Sequence, residues 1–223
     1  MFKTTKIQQM LAGVVLVAAL PLSAVAQTKE PIKIGLVSTK SGAYSAMGVH
    51  VINGVKFAVD EANAKGGVDG RKILLAEGDD ESTPDGGRRA AEKLARDGHN
   101  LLIGPIASSI SLAISQNLGR WDAALIGTIS KADKLTTDAC NARFIRTNHS
   151  DAMDLAMIGE WAKAIKGNNF AIMAADYVWG HDSAKAFEST VTAQGKKVSL
   201  KLFVPMGTKD YAPYIQQLKA ANV

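Results

Sequence analysis

After Gln27 the chain alternates short apolar runs with segments of helical periodicity, and this alternation limits its fold more than any other feature. Ile32 to Val37 (IKIGLV) is nearly continuous in apolar residues, as a strand buried on both faces should be. Val51, Val55, Ala58, Val59 and Ala62 then recur at helical spacing until Gly66-Gly67 stops them. Ile73 to Ala76 is a second strand. Thr83-Pro84-Asp85 opens a helix with a capping hydroxyl, a proline and an acid, and that helix runs through Ala90, Leu94 and Ala95 to Gly98.

The same plan repeats downstream. Leu101–Ile103, Ala123–Ile126 and Phe144–Arg146 read as strands, with a helix over Ser108–Leu118 and a polar stretch from Ser130 to Asn141. Ser150-Asp151 starts a helix through Trp161 and Ile165, before a strand at Phe170–Ala174. Helices at Asp182–Ala193 and Tyr211–Ala220 flank a strand at Val198–Val204. Strands and helices in strict alternation with short loops predict parallel sheets in an α/β fold. A change in loop chemistry near Asn148 divides the chain into a first lobe, 27–148, and a second, 149–223. The last residues follow a helix where another strand is due, so the second lobe is expected to be incomplete and the chain a fragment of a longer protein.

Residues 1–26 read as an export signal. Lys3 and Lys6 precede the apolar run Met10–Leu20, Pro21 ends it, and Ala24-Val25-Ala26 supplies the small residues before a cut at Gln27. The run is short for a bilayer span, and no cysteine follows it to take a lipid. The exported chain is expected to be soluble in the periplasm. It carries 24 basic against 21 acidic residues once Lys3 and Lys6 are gone, scattered rather than clustered. With aromatics at 6%, no nucleic-acid partner is expected. Cys140, the single cysteine, excludes an internal disulfide and is either a buried hydrophobe, a link to another chain, or half of a pair completed elsewhere.

Enzyme signatures are missing. No G-x-S-x-G elbow or S-x-x-K pair occurs, and His50, His99, His149 and His181 lack metal-ligand spacing, so neither hydrolase chemistry, a metal nor a cofactor is expected. Of the four, only His181 is placed near a cleft. Asp79-Asp80-Glu81 either meets a cation or amine, or is a solvated loop at a strand end. Gly66–Gly70 lies between helix and strand, the wrong order for a phosphate loop.

In open α/β sheets ligands bind beyond the carboxyl ends of the strands. Ser41–Met47, Ile106–Ser111 and Gly127–Lys134 are such loops. Ser108 and Ser109 begin a helix, where hydroxyls and free backbone N–H groups suit a carboxylate, or where one serine simply caps. Ser130 and Lys131 occupy the equivalent place after the fourth strand. Tyr44 in the first lobe, with Tyr177 and Trp179 in the second, either cover an apolar ligand or pack beneath their loops.

Five segments in order, IKIGLVSTKSGAYSAMG, NGVKFAVDEANAKGGVDGRKI, DDESTPDGGRRAAEKL, IGPIASS and DYVWGHD, resemble the leucine/isoleucine/valine-type periplasmic binding proteins, the solute receptors of ABC importers. The resemblance covers residues 31–220 and implies the type I periplasmic-binding fold: two Rossmann-like lobes joined by crossing strands and closing on a small ligand. It implies that Ser108 takes a ligand carboxylate through its hydroxyl, that Ile129 offers a backbone carbonyl and Lys131 a backbone N–H, and that Trp179 covers the ligand side chain. Gly127-Thr128-Ile129-Ser130-Lys131 departs from the P-x-A-T stretch of amino-acid-binding members. A lysine there is expected to repel an α-ammonium and attract a second carboxylate. The expected ligand is a small carboxylate-bearing solute, either a hydrophobic amino acid or an aromatic or dicarboxylic acid, with Met47 packing against a ring. The implied partners are permease subunits in the inner membrane, and a periplasmic sensor feeding a chemoreceptor or kinase is the alternative.

Overall fold

The computed structural model describes residues 29–221 and 223, and the export segment with its cleavage point before Gln27 lies outside them. Strands β1 (Ile32–Ser38), β2 (Ile73–Asp79), β3 (Leu101–Ile103), β4 (Ala124–Gly127) and β5 (Phe144–Arg146) form one sheet in the order β2-β1-β3-β4-β5. All neighbours are parallel. The order reverses at β1, which has β2 on one side and β3 on the other, so a crevice opens beyond the carboxyl ends of β1 and β3.

Three helices join these strands: α1 (Ser45–Ala64), α2 (Pro84–Arg96) and α3 (Ser108–Ser115). The core of this lobe lies between the sheet and the α2–α3 layer, where Val37, Leu102, Ile110, Ile114, Leu118 and Leu125 are fully buried. Thr83 caps α2 as its sequence predicts, its hydroxyl accepting from the Gly86 N–H at 3.0 Å. Helix α3 stops three residues before the predicted Leu118. The chain there tightens into three-residue turns, with Asn117 N donating to Ile114 O at 2.9 Å, while Leu118 still reaches the core. Strand β2 runs three residues beyond the predicted Ala76, because Glu77, Gly78 and Asp79 pair with Leu36, Val37 and Ser38. Glu77 tolerates this place through Lys40 and Lys56 at 2.8 and 2.7 Å, which hold its carboxyl below the usual range.

Beyond β5 the chain passes through Thr147–Ser150 into α4 (Asp151–Ala164), β6 (Asn169–Ala175), α5 (Val178–Thr192), β7 (Lys197–Val204) and α6 (Ala212–Ala220). Among the described residues β6 and β7 form a separate two-stranded parallel sheet. Helix α5 begins four residues before the predicted Asp182, so Trp179 and Gly180 form its first turn rather than a loop. Gly180 permits this. A Cβ there would lie 1.9 Å from the Ala175 carbonyl oxygen, so only glycine lets the helix start against the strand end.

Candidate functional site

Helices α1 and α5, which follow β1 and β6, are seated in the same way. A Cβ on Gly48 would meet the Thr39 carbonyl oxygen at 1.6 Å, as one on Gly180 would meet that of Ala175. Both helices therefore start tight against the end of their preceding strand. Their N-cap residues are tyrosines, Tyr44 on α1 and Tyr177 on α5. The two rings meet edge to face at 6.4 Å across the lobes, and Trp179 lies 5.9 Å from Tyr177. Tyr44 also donates its hydroxyl to the Met206 sulfur at 3.4 Å. Burial pushes the Tyr177 phenol up, and the adjoining Tyr44 hydroxyl adds to that, so this ring is a neutral apolar wall.

These three rings border a cavity of about 640 Å³, with Phe187, Met206 and Tyr211 closing its second-lobe side. The volume suits a small organic solute, and the lining is aromatic and apolar with few polar groups. Polarity comes from the helix ends instead. Helices α1, α3 and α5 have Tyr44, Ala107 and Tyr177 at their N-caps, with neither a capping side chain nor an acid in the first turn. Helix α2 differs on both counts, and α4 carries Asp151 and Asp154 in its first turn. Of these helices α1 and α5 place their N-cap tyrosines on the cavity lining, while α4 reaches it only at Leu155 and α3 not at all. The positive ends at Tyr44 and Tyr177 are therefore the unneutralised ones beside the cavity, which favours an anion there.

The structure joins the loop after β4 to the start of α3. The Ser108 hydroxyl oxygen, 1% exposed, accepts from the N–H groups of Lys131 and Ala132 at 3.2 and 3.1 Å. Ser109 is half-buried one residue further along α3. The Ile129 carbonyl accepts from Asn148 Nδ2 at 3.1 Å. Ser130 is turned into the core, its hydroxyl 2.6 Å from that of Ser111 and donating to the Pro105 carbonyl. Arg146 fixes the same loop from β5, donating to the carbonyls of Ser130 and Ala132 at 3.0 and 2.6 Å.

The Lys131 ammonium is not free in the structure. Lys131 Nζ is paired with Asp154 Oδ2 at 2.6 Å, and Asp154 also receives His149. Proximity in the fold decides this, because Asp154 lies one turn into α4, and α4 starts where Asp151 N donates to Lys131 O at 3.0 Å. The charge that was expected to attract a second carboxylate is therefore answered by the protein's own.

Asp151 was read from the sequence only as the start of a helix. It is 3% exposed, and its Oδ1 accepts from Trp179 Nε1 at 2.7 Å. Burial pushes its carboxyl up, outweighing the hydrogen bonds from Ser183 and Trp179. A continuous chain of bonds thus runs from Ser108 through Lys131 and Asp151 to Trp179. Met206 and Tyr211 were missed too, although Met206 follows the end of a strand, the position that drew attention to Tyr44 and Trp179. Met47, expected at the ring, is instead 49% exposed on α1. His181 binds Asp176 at 2.8 Å and stacks on Phe203, away from the cavity lining. Cys140 is exposed, so it is not a buried hydrophobe. Among the described residues no three His, Cys, Asp or Glu side chains are grouped to hold a metal ion. No described helix is long and apolar enough to cross a membrane.

Comparison with known proteins agrees with this architecture. The Leu/Ile/Val-binding protein BraC3 of Rhizobium johnstonii is 30% identical over 209 residues, 93% of this chain and 56% of that protein. A solute-binding protein of an ABC transporter from Rhodopseudomonas palustris BisB5, solved with 3,4-dihydroxybenzoic acid, superposes with a TM-score of 0.78 at 25% identity. An ABC-type branched-chain amino acid transporter protein from Rhodopseudomonas palustris CGA009 gives 0.62 at 28% identity. The chain covers 52% of each of these two structures, which cover 86% and 85% of it, so it spans about half the length of its relatives. The family model described as periplasmic binding protein matches residues 31–223, and with a two-lobed parallel α/β fold as well the chain belongs to the periplasmic binding protein family.

Proposed function

We propose that this chain forms the first lobe and part of the second of a periplasmic solute receptor, exported by its N-terminal segment and delivering a small carboxylate-bearing solute to the inner-membrane permease of an ABC importer. The observation that carries this reading is the aromatic wall of Tyr44, Tyr177 and Trp179, drawn from the starts of α1 and α5 and bordered by helix ends without caps or acids. Its function is binding, with no bond made or broken. A solute held between the lobes stabilises the closed arrangement by the contacts it gains there over the open one.

In this reading the Ser108 hydroxyl donates to the solute carboxylate, helped by Ser109, and the Lys131 N–H turns from the Ser108 oxygen to the carboxylate on binding, while the Ile129 carbonyl faces the solute's other polar end. Ser130 holds the loop in place. Tyr44, Tyr177 and Trp179 cover an apolar body. The pairing of Lys131 with Asp154 favours a monocarboxylate over a dicarboxylate and removes the repulsion against an α-ammonium. Both an aromatic acid and a branched-chain amino acid then fit. The former is supported by the bound 3,4-dihydroxybenzoic acid of the Rhodopseudomonas relative, the latter by the Leu/Ile/Val-binding relative.

Calorimetric titration of the full-length protein with 4-hydroxybenzoate, leucine and succinate tests this. Saturable binding of 4-hydroxybenzoate or leucine, weakened about tenfold or more by Tyr177→Ala, is expected. Succinate should bind poorly. Failure of both monocarboxylates to bind overturns the reading.

A further inference from the structure

The acidic loop after β2 either met a cation or lay in solvent on the sequence alone; in the structure it grips another loop. Thr39 to Tyr44 connects β1 to α1, outside both the sheet and the helix, and ends on the ring that borders the cavity. No side chain caps α1 at Tyr44, so the position of that ring depends on what holds this connection. Asp79 Oδ1 accepts from Lys40 N at 2.8 Å, from Ser41 N at 3.4 Å and from Glu81 N at 2.9 Å. Its Oδ2 accepts the Ser41 hydroxyl at 2.8 Å. Ser82 Oγ donates to the Ser41 carbonyl at 3.0 Å and accepts from Tyr44 N at 3.1 Å. Beneath them Asp80, with no exposed surface, accepts from Thr39 Oγ1 at 2.6 Å and from Ser82 N at 2.9 Å.

Two further facts mark this arrangement as constrained. Glu81 and Ser82 are consecutive non-glycine residues at φ +53° and +57°, a conformation that persists only where the surroundings over-determine it. Gly42 opposite has φ +87°, and a Cβ there would come within 2.7 Å of Ser82 Oγ. The two loops interlock.

We infer that Asp79 and Ser82 are positioning residues for solute binding: they clamp the β1–α1 connection so that Tyr44 is already at the mouth of the cavity, against Tyr177, before solute arrives. The inference rests on the proposed role of Tyr44 at the solute. A loop held this way loses little freedom on binding, and that saving appears as affinity. Ser82→Ala removes the hydroxyl without relieving the left-handed backbone. Asp79→Asn keeps an acceptor for the Lys40 N–H, whereas Asp79→Ala removes it.

The test measures affinity for 4-hydroxybenzoate and leucine in the full-length protein for Ser82→Ala, Asp79→Ala, Asp79→Asn and Tyr44→Ala, and for Ser82→Ala combined with Tyr44→Ala. Hydrogen exchange at the Tyr44 amide is read without solute. Ser82→Ala and Asp79→Ala are expected to speed that exchange and to weaken the probe that binds by about three- to tenfold, with Asp79→Asn close to the parent. In the Tyr44→Ala background, Ser82→Ala is expected to have no further effect. An equal loss in both backgrounds, or unchanged exchange at Tyr44, overturns the clamp. Affinity unchanged in Tyr44→Ala overturns instead the placement of Tyr44 at the solute, and the clamp's role in binding with it.

Discussion

The indole N–H of Trp179 in α5 donates to the carboxylate of Asp151 at the start of α4, 2.7 Å away. This bond fixes the ring plane that faces the cavity, and it makes an aromatic residue report on a buried acid. Burial raises the Asp151 carboxyl above its ordinary value of about 3.9. The native state therefore binds this proton more tightly than the unfolded chain, and in the window above about 3.9 stability falls as pH rises. In a variant retaining only Trp179 among its tryptophans, indole emission is expected to titrate in that window. Asp151→Asn should abolish the titration and flatten the stability profile there. An unchanged profile would place the titration on another group.

Lys131 offers a test of the solute's charge. Because its ammonium is committed to Asp154, Lys131→Met is expected to change monocarboxylate affinity by less than about threefold and to cost about 1 kcal/mol of stability or less, His149 remaining as a partner for Asp154. A tenfold loss for 4-hydroxybenzoate in calorimetry would show that the ammonium leaves Asp154 for the solute.

Ser108 is held by two backbone donors, apart from the role proposed for it at the solute. Ser108→Ala strips the acceptor from the N–H groups of Lys131 and Ala132. Leaving a buried donor unpaired costs about 1–3 kcal/mol, so urea unfolding should show a loss of that size even without solute. Stability equal to the parent's would mean that water replaces the hydroxyl and that the loop does not depend on it.

Gly180→Ala is the severe change. The added methyl would lie 1.9 Å from a backbone oxygen of β6, which cannot swing aside as a side chain can. A loss of about 3 kcal/mol is expected, with Tyr177 and Trp179 displaced together and solute affinity lost in proportion. Wild-type affinity in this variant would show that the start of α5 does not set the cavity wall.

Signals confined to a few neighbouring residues were legible in the sequence. Alternating strands and helices, the Thr83 cap and the strand-end positions of Tyr44, Ser108 and Trp179 follow from local periodicity, capping chemistry and a general rule about parallel sheets. The start of α5 was misplaced because Gly180 reads as a helix breaker until the Ala175 carbonyl beside it is known. The acidic loop after β2 was undecided for the same reason: its partners lie some forty positions earlier in the chain.

By itself, then, the sequence determined the order of elements, their parallel arrangement and the loops at the carboxyl ends of the strands, since these depend on propensity and pattern within short windows. The tertiary structure alone decided the pairing of Lys131 with Asp154, the bond from Trp179 to Asp151, and the entry of Met206 and Tyr211 into the cavity wall. A charged or aromatic side chain on a loop has several possible partners, and packing chooses among them by distance and burial, which no short stretch of sequence contains.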